Sequence, residues 1–259
     1  MDVLVVADRQ DALAGMFAAE VRRRGKTPVV LGRNDAARLF TITGEHHGSR
    51  VAPAVPILLR PPTPPRPGRE ADDLFLAGEC TSTLWAACAL TTAPVINRPT
   101  DTGFEARWSA SGAVTERRAR AEPAPELYAH RRTGEAPPDA RPWAVEDSRG
   151  RTRRWTAAEA GNGPIRARPT LADELYERVV VLQPHTWCIT TVDLANFELE
   201  RRSLDIAAAL GLAFAVVTWG VDRDHGSVRL ARIDPYPRAD QVLPVWSECL
   251  PALIEYLQC

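Results

Sequence analysis

The sequence predicts an α/β protein with an N-terminal parallel α/β lobe and a C-terminal α+β core. Three observations predict it. The chain starts with the apolar run Val3-Leu4-Val5-Val6, a helical pattern and a second apolar run at Thr27 to Leu31. That strand–helix–strand order favours a parallel, right-handed unit. Past residue 170, strand candidates again bracket a helical pattern, followed by a polar turn and one more strand. Between the two lies a stretch rich in Arg, Glu, Ala and Pro. The expected division is 1–104 for the N-terminal lobe, 105–169 for a shortened central lobe or insertion, and 170–259 for the core.

In the first lobe, Val3 to Val6 is a short apolar strand candidate. From Ala12 to Arg24, the side chains of Leu13, Phe17, Ala18 and Val21 fall close to one helical face, and Gly25 stops the helix. Thr27 to Leu31 is the next strand. Pro53 to Pro67 ends in Pro61-Pro62-Thr63-Pro64-Pro65-Arg66-Pro67 and predicts a stiff loop or a poorly ordered connection. A helix is expected over Thr81 to Leu90. Pro94-Val95-Ile96-Asn97-Arg98-Pro99 reads as a strand that ends in a turn.

In the middle, Pro142 to Trp155 fits a hairpin around Ser148-Arg149-Gly150, because glycine supplies the turn geometry. The stretch as a whole is either a solvated insertion or a small lobe over a cleft. Thr170 to Arg178 is expected as a short helix entering the buried strand Val179 to Leu182. Ile189 to Val192 is β-prone through its β-branched residues. Phe197 to Leu210 reads as a helix with Leu199, Leu204, Ala207 and Ala208 on its buried side and Ile206 at the margin. Gly211 closes it as a left-handed C-cap residue. Phe214 to Thr218 is a strand and Asp222 to Gly226 a turn. Val228, Leu230 and Ile233 mark a second strand that ends at Pro235. Val245 to Leu257 is a final helix that Pro251 kinks or splits.

Composition removes several function classes. Lys plus Arg total 32 against 33 for Asp plus Glu, a formal net charge of -1. No strongly basic nucleic-acid binder is expected, and Trp187, Trp219 and Trp246 read as packing residues. The first residues lack the basic start and long apolar core of a signal peptide. The run Ile206 to Trp219 is interrupted by Gly211 and falls short of the roughly 20 residues a bilayer span needs. A cytoplasmic protein without a membrane partner is expected, its five cysteines reduced and lacking zinc-like spacing. No Gly-x-Gly-x-x-Gly follows the first strand, so the dinucleotide fingerprint is missing. Lys26 is the only lysine of the chain.

Two segments carry a resemblance. Glu200 to Thr218 leads a helix through Leu210-Gly211-Leu212 into a strand, and Gly226 to Pro237 ends in Arg232-Ile233-Asp234-Pro235-Tyr236-Pro237. Together they resemble the C-terminal core of the ATP-grasp superfamily, especially its carboxylate–amine ligases. There the helix leads to a strand bearing an acidic residue, and a hairpin delivers Glu-x-Asn-Pro. Val95-Ile96-Asn97-Arg98-Pro99 similarly resembles a strand-end Asn-Arg/Pro-Pro segment of the family's N-terminal lobe. The resemblance implies an ATP-grasp-like fold. It also implies a chemistry in which a carboxylate is phosphorylated and an amine attacks the acyl phosphate. That chemistry calls for magnesium on hard carboxylates and for cationic donors along the phosphates.

Residue by residue, this chain departs from the pattern. Thr218 stands where an acid is common, Arg232 at the metal-binding glutamate and Asp234 at the metal-binding asparagine. Asp234 can still take a metal ion, whereas Arg232 offers no acceptor and repels one. The central lysines that the family brings to ATP are missing. Arg149, Arg151, Arg153 and Arg154 are the candidate cofactor-binding replacements; the alternative for them is an exposed charged hairpin.

Candidate substrate-binding residues are Asp8, Asn97, Arg98 and Arg232. Asp8 follows the first strand, and Asn97 and Arg98 end another, so all three suit an α/β crevice. Helix capping explains Asp8 equally well, and turn formation explains Asn97 and Arg98. Arg232 either pairs with Asp234 or Asp205 or clamps a carboxylate or phosphate with its fork. His185 and Cys188 would meet on a helix, but Pro184 and the β-prone run after them oppose one. His46 and His47 do not define a metal site without further ligands.

Three functions are expected, in order. The first is a divergent ATP-grasp-like protein that has lost the standard ATP–magnesium site and needs no cofactor. It acts as a small-molecule-binding or partner subunit in a biosynthetic pathway. The second is an atypical ligase that uses ATP and Mg2+ to form an amide through an acyl phosphate. The third is a structural or interaction protein. A small anionic or amino-acid-like metabolite is the expected ligand, and a protein partner or a homo-oligomer the expected assembly.

Overall fold

The computed structural model describes residues 1–46, 48–60, 70–99, 127–129, 143–146, 152–155, 165–169, 174–189, 197–222 and 228–259. The first lobe runs β1 (Val3–Val6), α1 (Ala12–Arg23), β2 (Pro28–Leu31), α2 (Arg33–Leu39), β3 (Thr41–Glu45), β4 (Gly48–Ala52), β5 (Ile57–Leu59), α3 (Ala71–Leu90) and β6 (Val95–Ile96). Four strands form one parallel sheet in the order β2-β1-β5-β6. Successive residues of β1 serve two cores: Val3 and Val5 face one, Leu4 and Val6 the other. A parallel strand covered on both faces therefore reads as an unbroken apolar run. Asp11 starts α1 by accepting the amide of Ala14 at 2.9 Å. Gly25, at φ +77, ends it. The Lys26 amide reaches the carbonyl of Val21 and the Gly25 amide that of Arg22, closing a Schellman motif.

Two sequence expectations for this lobe need correction. The proline-rich segment is not loop throughout, because β5 lies in it, fully buried between β1 and β6. Pro56 precedes the strand where only a carbonyl is required and accepts the amide of Leu4 at 2.9 Å; Pro94, before β6, likewise accepts that of Ile57 at 2.9 Å. The helix expected at Thr81 begins at Ala71. The helix α2 and the β3–β4 hairpin were not legible as elements.

The central region contributes β7 (Leu127–Ala129), β8 (Trp143–Glu146), β9 (Thr152–Arg154) and β10 (Ile165–Pro169). They form an antiparallel sheet in the order β7-β10-β8-β9. The expected hairpin is the β8–β9 pair. Trp143, Val145, Trp155 and Ala167 make a small core of their own, with the two indoles edge-on at 6.0 Å.

The last part runs β11 (Glu174–Leu182), β12 (His185–Ile189), α4 (Phe197–Ala209), β13 (Phe214–Asp222), β14 (Val228–Asp234) and α5 (Ala239–Val242). A 3₁₀ turn at Leu243–Val245 then leads into α6 (Trp246–Leu257). Its sheet is antiparallel, β12-β11-β13-β14. Glu174 to Arg178 is strand, not helix. These residues pair with Asp222 through Thr218 of β13, and that ladder overrides local helix preference. Of the β-prone run, Ile189 ends β12, and residues 190–192 lie outside the described residues. On α4, Ala208 is exposed, and Ser203 takes a buried position by accepting the indole N–H of Trp219 at 2.8 Å. Gly211 adopts φ +68, as its C-cap role requires. Pro251 does not split α6. Pro251 and Ser247, whose carbonyl loses its amide partner, are both exposed.

One apolar cluster joins the ends of the chain. It combines Val3 and Val5 of β1, Phe17 of α1, Val180 and Leu182 of β11, Phe214 and Val216 of β13, and Leu253 and Leu257 of α6. The opposite face of the antiparallel sheet packs against α4 through Val179, Val217, Trp219 and Ile206. No helix among the described residues is long and apolar enough to cross a membrane.

Candidate functional site

The carboxyl ends of β1, β5 and β6 meet the ends of β13 and β14. In an open α/β sheet, ligands bind outside the strand carboxyl ends where strand order reverses, here between β1 and β5. Asp8 is exposed there, and its carbonyl accepts the Asp11 amide at 2.9 Å. The capping residue is Asp11, not Asp8. The other carboxylate oxygen of Asp11 takes the Nε–H of Arg60 at 2.5 Å, and the Arg60 amide bonds the carbonyl of Val6. Arg60, only 7% exposed, is thus a buried cation at the switch point with its charge met by Asp11. Sequence reasoning missed both. The Asp11-to-Ala14 spacing before an apolar helix face was the available signal for Asp11. Arg60 had none, since its partner lies 49 residues away.

Asn97 follows β6 in the left-handed region at φ 52, a conformation asparagine tolerates better than most residues. Its Nδ2 donates to the carbonyl of Phe214 at 2.7 Å and to that of Pro235; its Oδ1 accepts the Phe214 amide at 2.9 Å. Both amide hydrogens therefore tie β6 to the start of β13 and the end of β14. Arg98 is also committed to backbone. Nη1 donates to the carbonyls of Cys88, Ala89 and Thr91 at 2.9, 3.1 and 2.7 Å, and Nη2 to that of Ala93 at 2.7 Å. The last turn of α3 has no basic residue of its own, so Arg98 supplies the positive charge its carbonyls favour. Asn97 thus ties the first lobe to the last sheet, and Arg98 binds the end of α3 and the loop after it within the first lobe.

Arg232 and Asp234 stand at the end of β14, with Arg232 paired in register with Thr218. The guanidinium Nη2 donates to Oδ2 of Asp234 at 3.1 Å, and Oδ1 of Asp234 accepts the amide of Tyr236 at 3.3 Å. Of the two partners weighed for Arg232, the structure selects Asp234 over Asp205. Tyr236 reaches the charges of the first lobe. Burial pushes its phenol up to about 12, with Cys88 adding to the rise and Arg60 opposing it.

The remaining candidates divide. Arg153 and Arg154 belong to β9, while Arg149 and Arg151 lie outside the described residues, as do His47, His130 and His225. His185 and Cys188 are three apart on β12 and so face opposite sides of the sheet. His185 leans on Trp187, whereas Cys188 packs toward α4. Among the described residues, no three His, Cys, Asp or Glu side chains are grouped to hold a metal ion. Asp234 has one oxygen against a guanidinium and the other on a backbone amide. That environment does not fit a hard dication, which needs several free oxygen ligands.

A parallel lobe, an antiparallel central sheet and an antiparallel core whose last strand ends at the lobe junction define the ATP-grasp fold, and this chain has it. Particular solved structures share it. The ATP-grasp ligase PsnB, complexed with minimal precursor, matches with a TM-score of 0.66 and 17% identity over 98% of each chain. PsnB is also known with a phosphomimetic variant of minimal precursor, Mg and ADP. The macrocyclase MdnC from Microcystis aeruginosa MRC, bound with precursor peptide MdnA, matches with a TM-score of 0.67 and 12% identity. That match covers 100% of this chain and 99% of MdnC. A RimK domain ATP-grasp protein from Sphaerobacter thermophilus matches with a TM-score of 0.55 and 14% identity over the whole of both chains. Neither a family model nor a curated protein matches the sequence.

Proposed function

We propose that this chain is an ATP-grasp-fold subunit that binds a carboxylate-bearing, peptide-like or amino-acid-like ligand at the end of β14 without the standard ATP–magnesium site. The Arg232–Asp234 pair, 3.1 Å apart, carries the reading. It puts a permanent cation where the resembled ligases place a carboxylate for metal. A guanidinium attracts an anion by itself and matches a carboxylate in geometry. The fold shared with PsnB and MdnC, both bound to precursor peptides, supports a peptide as the source of that carboxylate.

Calorimetric titration with ATP, with and without magnesium, tests the first part. No saturable magnesium-dependent binding is expected; finding it would overturn the reading. Titration with a short acidic peptide tests the second. Arg232→Ala is expected to weaken that peptide at least tenfold while the circular dichroism spectrum stays unchanged, and equal affinity would reject the role.

A second reading is favoured by a separate observation. The described β7–β10 sheet supplies a central unit, and the chain covers whole ligases almost end to end. An active, atypical carboxylate–amine ligase would retain that unit to cover ATP. Peptide-dependent release of ADP from ATP would establish this reading over the first.

A further inference from the structure

We propose that the guanidinium fork of Arg60, together with the phenol of Tyr236, is a carboxylate-binding site at the switch point between β1 and β5. Arg60 directly follows β5, and its amide is tied to the carbonyl of Val6 at 2.9 Å. The side chain is buried, yet only Nε is spent, on Asp11 at 2.5 Å. Among the described residues, Nη1 and Nη2 donate to no protein group, and neither is sealed from solvent. A guanidinium offers five N–H donors in a fixed plane, so four remain for a ligand. Leaving them open in a buried side chain is costly unless something else accepts them. Asp11 holds the fork open. It caps α1 through Oδ1 and takes Nε–H through Oδ2, so the start of a helix sets the plane of the guanidinium.

Tyr236 reaches the same place from the other end of the chain. In the β5–β6 pairing Leu58 stands beside Ile96, so Asn97 lies next to Leu59 and one residue short of Arg60. Asn97 holds the carbonyl of Pro235, and Tyr236 comes next. The Arg60 charge acts on its phenol, opposing the rise that burial causes. Tyr236 bonds through its backbone amide; among the described residues its O–H has no hydrogen-bond partner. Two donor groups that lie together and do not satisfy each other call for an acceptor between them.

Charge selects the acceptor. Asp11 already faces Arg60, and Asp8 is exposed at the rim. A planar, singly charged carboxylate matches the two parallel N–H groups of the fork, whereas a doubly charged phosphate would meet both acids. Arg232 and Tyr236 are four residues apart in the sequence, at most about 14 Å of extended chain. On the reading proposed above, and resting on it, one peptide-like ligand with two carboxylates engages both arginines. The Arg60 site itself stands without that reading.

Calorimetric titration of the full chain with the end-blocked peptide Glu-Ala-Ala-Glu tests the site. Arg60→Lys keeps the charge beside Asp11 but loses the fork, and Tyr236→Phe removes one hydroxyl. The first is expected to weaken the peptide at least tenfold and the second about fivefold, with melting temperatures within a few degrees of wild type. A wild type that does not bind the peptide would overturn the proposal. So would wild-type affinity in both variants, whatever Arg232→Ala does. Weakening in these variants with Arg232→Ala unaffected would keep this site and reject the one at β14. Acetate should displace the peptide at lower concentration than inorganic phosphate; the reverse order would overturn the carboxylate assignment. If Arg60→Lys loosens α1, Tyr236→Phe still decides.

Discussion

At the end of β6, Asn97 and Arg98 direct their polar atoms at backbone amides and carbonyls; at the end of β14, Arg232 donates to Asp234, whose other oxygen accepts the Tyr236 amide. Asn97 and Arg98 follow β6 and Arg232 and Asp234 close β14, so both pairs border the same junction. The first is structural: Asn97 fits one lobe to the other and Arg98 fastens the end of α3, both through main-chain groups. The second is a charged pair whose side chains retain 23% and 12% exposure, so an anion can compete for the guanidinium. Polarity at a strand end is therefore a poor guide to binding unless its partners are known.

Removing Asn97 should have the largest effect. Asn97→Ala leaves two carbonyls and an amide without partners in the interior and puts alanine in the left-handed region. A loss of about 4 kcal/mol is expected in urea unfolding. A loss below about 1 kcal/mol would erase the contrast with β14. Arg98→Met should follow at about 2 kcal/mol, since it uncovers several carbonyls at the end of α3.

Arg232→Ala should cost about 1 kcal/mol, because the pair is partly exposed and Asp234 keeps the Tyr236 amide. Arg232→Glu sharpens the comparison. Two adjacent carboxylates should give a chain whose melting temperature rises with millimolar Mn2+, which the wild type should not do. A wild-type rise would place a metal at β14 after all.

The smallest effect at neutral pH comes from groups buried without charge. Burial pushes the thiols of Cys88 and Cys249 up to about 12, against about 9 when free. Their folded values lie above the unfolded ones. This contribution is complete below pH 9 and is lost as pH rises toward 12, at roughly 1.4 kcal/mol per pH unit for each thiol. Tyr236 joins above pH 10. Unfolding measured from pH 8 to 11 in wild type and Cys88→Ala should show the shallower alkaline slope in the variant; parallel slopes would count against a buried neutral thiol.

The elements legible in the sequence were those whose reasons are local. The helical faces of α1 and α4, the glycine caps at Gly25 and Gly211 and the pairing of β8 with β9 each need only nearby residues. Glu174 to Arg178 misled because their strand character comes from pairing with β13, far along the chain. The junction was legible as polar positions and not as contacts. The partner of Asn97 lies 117 residues away, and nothing within that stretch announces it. Arg232 was closer to readable, because its partner Asp234 sits on the same strand.

The cluster that joins Val3 to Leu257 also sets a timetable. On a ribosome adding about 5–20 residues per second, β1 emerges on the order of tens of seconds before α6 exists. Through that interval Val3, Val5 and Phe17 lack the surface that finally covers them. The antiparallel core can begin to form as β13 follows β11, and the other face of the first lobe has a core of its own, but this face waits for the last helix. Until α6 emerges, that face of β1 and α1 is apolar surface still waiting for its cover.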